Sequence, residues 1–146
     1  MTDCVFCNSA DVQKRIIIKN DLAFSFPTNI PITPGHVLVC PIRCVALFDE
    51  LTQEEIMALM DLRKKLRKAI IKTLVAEGFN YAWNEGEIAG QAVNHLHLHI
   101  VPRTKGDAGV TEYEPRKFLY RPGSREKSPD NELKEIVELL QRGLED

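Results

Sequence analysis

The segment His95-Leu96-His97-Leu98-His99-Ile100-Val101-Pro102 alternates polar and apolar residues over its first six positions. In an extended chain, side chains two apart share a face, so this period predicts a strand over 95–102 with its imidazoles on one side. Leu96, Leu98 and Ile100 take the other side. Such a strand suits a sheet that packs one face on a helix and turns the other toward a polar pocket. Three histidines in register are hard to explain as packing alone, which leaves a reactive pocket or a metal site built from strand histidines as the two readings.

The remaining periodicities say what this strand sits among. Residues 13–19 and 22–27 read as two strands around the turn-like pair Asn20-Asp21, and 36–41 as a third after the Pro/Gly-punctuated loop 29–35. Thr52-Gln53-Glu54-Glu55 is a capping-box pattern. Behind it Ile56, Leu59, Met60, Leu66, Ile70 and Leu74 recur at helical spacing, with Gly78 as the expected C-cap. Lys64, Lys65, Arg67, Lys68 and Lys72 fall largely on the opposite, solvated face. Residues 79–84 read as a fourth strand and 86–92 as a glycine-containing loop. One long helix among five strands is too few for repeated βαβ crossovers, so the pattern predicts an α+β fold on an antiparallel sheet.

Beyond Pro102 the character changes. Residues 103–127 lack periodicity, and a C-terminal helix is expected from Ser128 as N-cap and Pro129 in the first turn to about Arg142. Within this tail, 114–121 interleaves basic and aromatic side chains, open to readings as a solvated loop, a dimer contact or a polyphosphate contact. The whole chain, 1–146, reads as a single domain, with 1–10 as an N-terminal segment and 103–146 as tail and helix.

A net charge of −2, with 44% apolar and 27% charged residues, describes an ordinary globular protein and demands no polyanionic partner. No nucleic-acid partner is expected, since no recognition helix or basic patch stands out beyond the tail. No window approaches a membrane span and no basic leader precedes an apolar run, so the expected address is the cytoplasm. Four cysteines in that compartment point to metal binding or burial before disulfides. Cys4 and Cys7 make a C-x₂-C pair, which alone supplies only half of a tetrahedral site. Cys40, in an apolar run, reads as a small buried side chain.

His95-Leu96-His97-Leu98-His99-Ile100-Val101 matches the His-φ-His-φ-His-φ-φ signature of the histidine triad family. The runs Pro34-Gly35-His36-Val37-Leu38-Val39-Cys40-Pro41 and Ala89-Gly90-Gln91 resemble its fragile-histidine-triad branch, and the similarity extends over roughly 20–107. The resemblance implies nucleotidyl transfer or hydrolysis at an α-phosphate, with His97 as the nucleophile that carries the nucleotide. It implies further that His99 donates a hydrogen bond to the phosphate or leaving group and that His36 completes the pocket. Asn84 and Gln91 take the places of amides near the phosphates, although the fragile branch typically has glutamine where Asn84 stands. Phe26 and Leu38 would meet the base, and Thr28 or its neighbour Asn29 the ribose.

In zinc-bearing members of the wider superfamily, the corresponding positions are Cys4, Cys7, Cys44 and His95, with cysteine at 44 where a histidine is usual. That replacement keeps a competent ligand and gives a Cys₃His set for a structural zinc. No organic cofactor is expected. The function implied is hydrolysis of dinucleoside polyphosphates, with a phosphorylase or a nucleoside phosphoramidase as alternatives that keep the fold. A non-catalytic nucleotide- or metal-binding sensor is the alternative from another class. A homodimer is the expected assembly.

Overall fold

The computed structural model describes residues 4–107 and 127–145; the basic and aromatic run 114–121 lies outside the described residues. Its sheet has five strands: β1 Ile18–Lys19, β2 Ala23–Pro27, β3 Val37–Pro41, β4 Gly78–Ala82 and β5 Leu98–Arg103. They lie in the order β1-β2-β3-β5-β4, and every pairing is antiparallel. The α+β architecture expected from the sequence is thus the observed one.

Among the described residues, two long helices, two short turns of α-helix and the 3₁₀ turns Phe48–Glu50 and Glu87–Ala89 surround the sheet. Helix α1 spans Val5–Asn8, α2 Ala10–Lys14, α3 Gln53–Leu74 and α4 Asp130–Gly143. The alternation of β5 and its approach buries Leu96, Leu98 and Ile100 in one cluster with Leu59, Leu62, Leu66 and Ile70 of α3. Each such side chain contributes roughly 1.5–3 kcal/mol on leaving water, so this face fixes how the sheet sits on the helix. Helix α4 packs on α3 through Gly143, where a Cβ would come 2.8 Å from Thr73 Cγ2 and 3.1 Å from the Ala69 carbonyl oxygen. A side chain there would push the two helices apart.

Local sequence rules and the structure part company at several boundaries. The strand expected at 13–19 shrinks to Ile18–Lys19, because Ser9 caps α2 by accepting from the amides of Asp11 and Val12 and thereby draws Gln13 and Lys14 into a helix. Helix α3 stops before Gly78, which instead begins β4. Its C-cap is Val75, at φ 55° and ψ 42°. Pro129, rather than Ser128, is the N-cap of α4. The ladder of β5 starts only at Leu98, leaving His95 in a bend and His97 just before the strand.

The start of α3 is held as its sequence predicts. Thr52 Oγ1 accepts from the Glu55 amide at 3.1 Å, and Glu55 Oε1 accepts from the Thr52 amide at 2.9 Å. Glu55 also takes two donors from Arg43, at 2.7 and 3.1 Å. These bonds from Arg43 and the Thr52 amide hold its carboxyl down at about 2. Because that value lies below the ordinary carboxylate range, the contribution is whole above about 4.5 and is lost as pH falls toward about 2.

Opposite effects are therefore expected at the two ends of α3. Thr52→Ala should cost ~1 kcal/mol through the lost cap. Val75→Gly should gain ~1 kcal/mol by relieving a β-branched residue in the left-handed region. Urea unfolding of both variants reads the signs directly, and a stabilised Thr52→Ala or a destabilised Val75→Gly contradicts this account of the termini. Acid titration of Glu55→Gln should show a shallower loss of stability between pH 4.5 and 2 than the parent.

Candidate active site and metal centre

His36 stands immediately before β3 and His99 within β5. Leu38 pairs with His99 across the ladder, which puts His36 on a diagonal to it. His36 Nδ1 accepts from the Ile32 amide at 3.0 Å, so this nitrogen carries a lone pair and the proton lies on Nε2. That Nε2–H reaches His99 Nδ1 at 2.9 Å, which leaves the proton of a neutral His99 on its Nε2. A main-chain amide thus sets the tautomer of two rings in succession and makes His99 Nε2 a donor.

His97 is fixed by a different main-chain group. Its Nδ1 lies 2.8 Å from the carbonyl oxygen of His95, an acceptor only, so Nδ1 holds the proton and donates it there. The Nε2 lone pair is consequently the reactive one. Burial pushes His97 below the ordinary imidazole range, in part offset by that bond to His95, which keeps the ring neutral near pH 7. Its centroid is 5.0 Å from that of His99, and Phe6 meets it edge-on at 5.1 Å.

His97 and His99 line a cavity of about 220 Å³. Leu38, Thr28, Asn29 and Asn84 are on its wall, as is Phe26, although that ring is only 1% exposed. Thr28 Oγ1 accepts from the Ile30 amide at 3.3 Å, and the Asn29 carbonyl accepts from the Ser128 amide at 2.7 Å. His36 is behind His99 and not on the wall. Gln91 is not there either: its Oε1 accepts from the Gly86 amide at 2.8 Å and its Nε2 donates to the Ala46 carbonyl at 3.0 Å. The amide expected at the phosphates is committed to bracing its own loop, whose Gly90 and Ala92 reach the cavity in its place.

Sequence reasoning missed the contribution of the N-terminal segment. Phe6, Ser9, Asp11 and Arg15 all line the cavity. The signal was available in part, since Phe6 sits inside the C-x₂-C pair and must travel wherever Cys4 and Cys7 are held.

His95 turns away from the other two imidazoles. Its Nε2–H donates to the Pro41 carbonyl at 2.7 Å, which frees the Nδ1 lone pair to face the sulfurs of Cys4 at 3.2 Å and Cys7 at 3.4 Å. With Cys44, these ligand atoms all lie within 4.8 Å of one another. Burial, then the neighbouring thiols of Cys4 and Cys44, push the Cys7 thiol up to about 12. Three sulfurs gathered within reach of one another, beside an imidazole lone pair anchored from behind, fit a thiophilic cation that supplies positive charge to the set. Cys40 is fully buried among Phe24, Phe26 and Leu38 and takes no part in the set.

Fold and site together define a class: a small α+β protein that turns a neutral, main-chain-oriented histidine toward a cavity and backs it with a Cys₃His cluster. The HIT domain model matches residues 9–106, and the chain belongs to that family. It is 33% identical over 117 residues to a bis(5'-adenosyl)-triphosphatase of Dictyostelium discoideum, covering 80% of this chain and 75% of that protein. Over 109 residues it is 33% identical to an adenosine 5'-monophosphoramidase of Schizosaccharomyces pombe, covering 73% of this chain and 79% of that one. A zinc-bound histidine triad family protein from Mycobacterium smegmatis superposes with a TM-score of 0.73 at 29% identity, over 97% of this chain and 93% of its own. These relatives are named for enzymes or for the triad itself, and the chain is an enzyme of this family.

Imidazole NMR at mildly alkaline pH tests the geometry. His97 should appear as the Nδ1–H tautomer and His36 and His99 as Nε2–H. An Nε2–H form of His97 would contradict its bond to the His95 carbonyl.

Proposed function

We propose that His97 transfers a nucleotidyl group, and that the chain hydrolyses dinucleoside polyphosphates in two steps. The Nε2 lone pair attacks the α-phosphorus, and the bond from that phosphorus to the bridging oxygen breaks. The electron pair leaves with the departing nucleotide, which is already an anion and needs no proton. Nδ1–H stays on the ring, where the His95 carbonyl stabilises the positive charge that develops. Water then attacks the same phosphorus, the P–Nε2 bond breaks with its electrons returning to His97, and the water proton passes to solvent. One hard displacement is thereby replaced by two easier ones.

The observation that carries this reading is the 2.8 Å contact between His97 Nδ1 and the His95 carbonyl, which makes Nε2 the available nucleophile on a cavity wall. His99 Nε2–H is the hydrogen-bond donor to phosphate oxygens, His36 orients His99, and Asn84 supplies an amide on the same wall. In this reading Leu38 meets the base and Thr28, or its neighbour Asn29, the ribose, since all three line the cavity. Substrates with a phosphoramidate bond are the second reading, favoured by Asn84 and by the phosphoramidase relative.

Turnover of diadenosine triphosphate, diadenosine tetraphosphate and an adenosine phosphoramidate, each with and without inorganic phosphate, separates hydrolase, phosphoramidase and phosphorylase. His97→Asn should lower kcat by ~10³-fold or more while nucleotide affinity stays within a few-fold. Undiminished turnover by that variant ends the mechanism.

Zinc is the metal this reading assigns to Cys4, Cys7, Cys44 and His95, in a structural role with all four positions filled by protein. Homodimerisation belongs to the same reading: β4 is a sheet edge whose Tyr81 is exposed, as are Met57 and Ile71 of α3. Plasma emission spectrometry on reduced protein should find about one zinc per chain, and Cys44→Ala should lose it together with part of the thermal stability. Undamaged, reduced protein without zinc would rule the assignment out.

A further inference from the structure

Arg15 follows α2 directly and is half-buried on the wall of the His97 cavity. Its Nε donates to the Pro27 carbonyl at 3.3 Å, which lays the guanidinium over the Phe26 ring with Cζ 5.6 Å from the centroid. Phe24 stacks on that ring at 5.7 Å and Phe6 meets it edge-on at 5.2 Å. Phe26 is therefore covered by its neighbours, and the guanidinium is the group presented where a base was expected to meet an aromatic face. Nε is spent on Pro27. Among the described residues the four N–H groups of Nη1 and Nη2 have no hydrogen-bond partner, although the group is half-buried.

Asp11 precedes Arg15 by four residues and lines the same cavity. The two groups are chemically opposite: a guanidinium that only donates and a carboxylate that only accepts. Burial disfavours the charge on Arg15, whereas Asp11 and Asp130 offset that effect, so the donor fork stays charged at any working pH.

We propose that Arg15, assisted by Asp11, reads the edge of the bound base and makes the cavity selective for guanine over adenine nucleotides. This deepens the nucleotidyl-transfer reading above and, as a statement about turnover, rests on it. Guanine presents two adjacent acceptors, O6 and N7, which match a guanidinium fork. Adenine presents N7 beside an amino donor, so one arm of the fork would face another N–H. Next to O6, guanine carries the N1–H and N2–H₂ donors for an acceptor such as Asp11, where adenine has a lone pair at N1 and nothing at C2. A lysine could replace the charge but not the fork, because an ammonium is a point donor.

The test compares guanosine and adenosine 5'-phosphoramidates, which share a leaving group, and measures GMP and AMP binding by calorimetry. For the parent protein, kcat/KM and affinity should both favour guanine by about tenfold. Arg15→Met should bring both ratios to near unity through a rise in KM for guanosine, and Arg15→Lys should recover little of the preference. Asp11→Asn, on the exposed end of α2, provides a second variant should Arg15→Met fold poorly; it should weaken GMP more than AMP. Equal binding of GMP and AMP by the parent overturns the inference. So does an Arg15→Met variant that loses both nucleotides equally, which would make Arg15 a tie between α2 and α4. Should neither phosphoramidate turn over while GMP still binds more tightly in an Arg15-dependent way, the reaction assigned to His97 fails and base reading by Arg15 stands.

Discussion

Everything at the site hangs on His95, whose three polar groups each hold a different part of the molecule. Nε2–H fixes the ring to the end of β3 through Pro41, and Nδ1 faces the cysteine pair of the N-terminal segment. Its carbonyl oxygen accepts the hydrogen bond from His97 Nδ1–H. The ring is fully buried, with Phe6 and Phe24 packed on it, and its bonds to the Pro41 carbonyl and from His97 are buried with it. A cluster that looks peripheral to the chemistry thus shares a residue, His95, with the atom that decides which nitrogen of His97 can react.

The N-terminal segment shows how the cluster and the cavity are coupled. Val5 and Phe6 lie between the two cysteines, and Phe6 stands against Phe26, His95 and His97 at once. A four-residue helix such as α1 has little stability of its own, because a single turn scarcely repays its nucleation. Its position must come from side-chain anchoring, by Phe6 in the aromatic cluster and by the thiols around His95. From there the chain passes through α2 to Arg15, so one anchored stretch supplies an entire wall of the cavity.

Long, strongly periodic elements were legible in the sequence because periodicity reports burial. The aliphatic face of β5 and the capping box of α3 are where the residues place them, and the sheet is antiparallel as its pattern implied. Boundaries set by a single competing bond were not legible: Ser9 made a helix of Gln13 and Lys14, and Val75 ended α3 in a conformation that sequence rules reserve for glycine or asparagine. At the site, the family resemblance supplied Cys44 and His95 as metal ligands, whereas residue types and spacing pointed to the imidazoles and to the Cys4 and Cys7 pair. They were silent on which way Gln91 would turn, since that depends on the Gly86 amide and the Ala46 carbonyl, and on Arg15, whose position depends on a carbonyl twelve residues away. Side-chain commitments to distant main-chain groups leave no period in the sequence.

The main-chain character of the histidine partners has one more consequence. Ile32 donates through its amide, and Pro41 and His95 accept through their carbonyls, so none of the three side chains supplies the bond. Replacing a side chain at position 32 or 41 leaves the amide or carbonyl in place unless the backbone itself shifts, apart from the special case of a proline at 32. The proton positions of the imidazoles are thereby insulated from most point mutations, while the side chains of the cavity wall stay open to change. Reactivity and recognition can drift independently in such a scaffold, with the first written into the path of the backbone and the second into what is hung upon it.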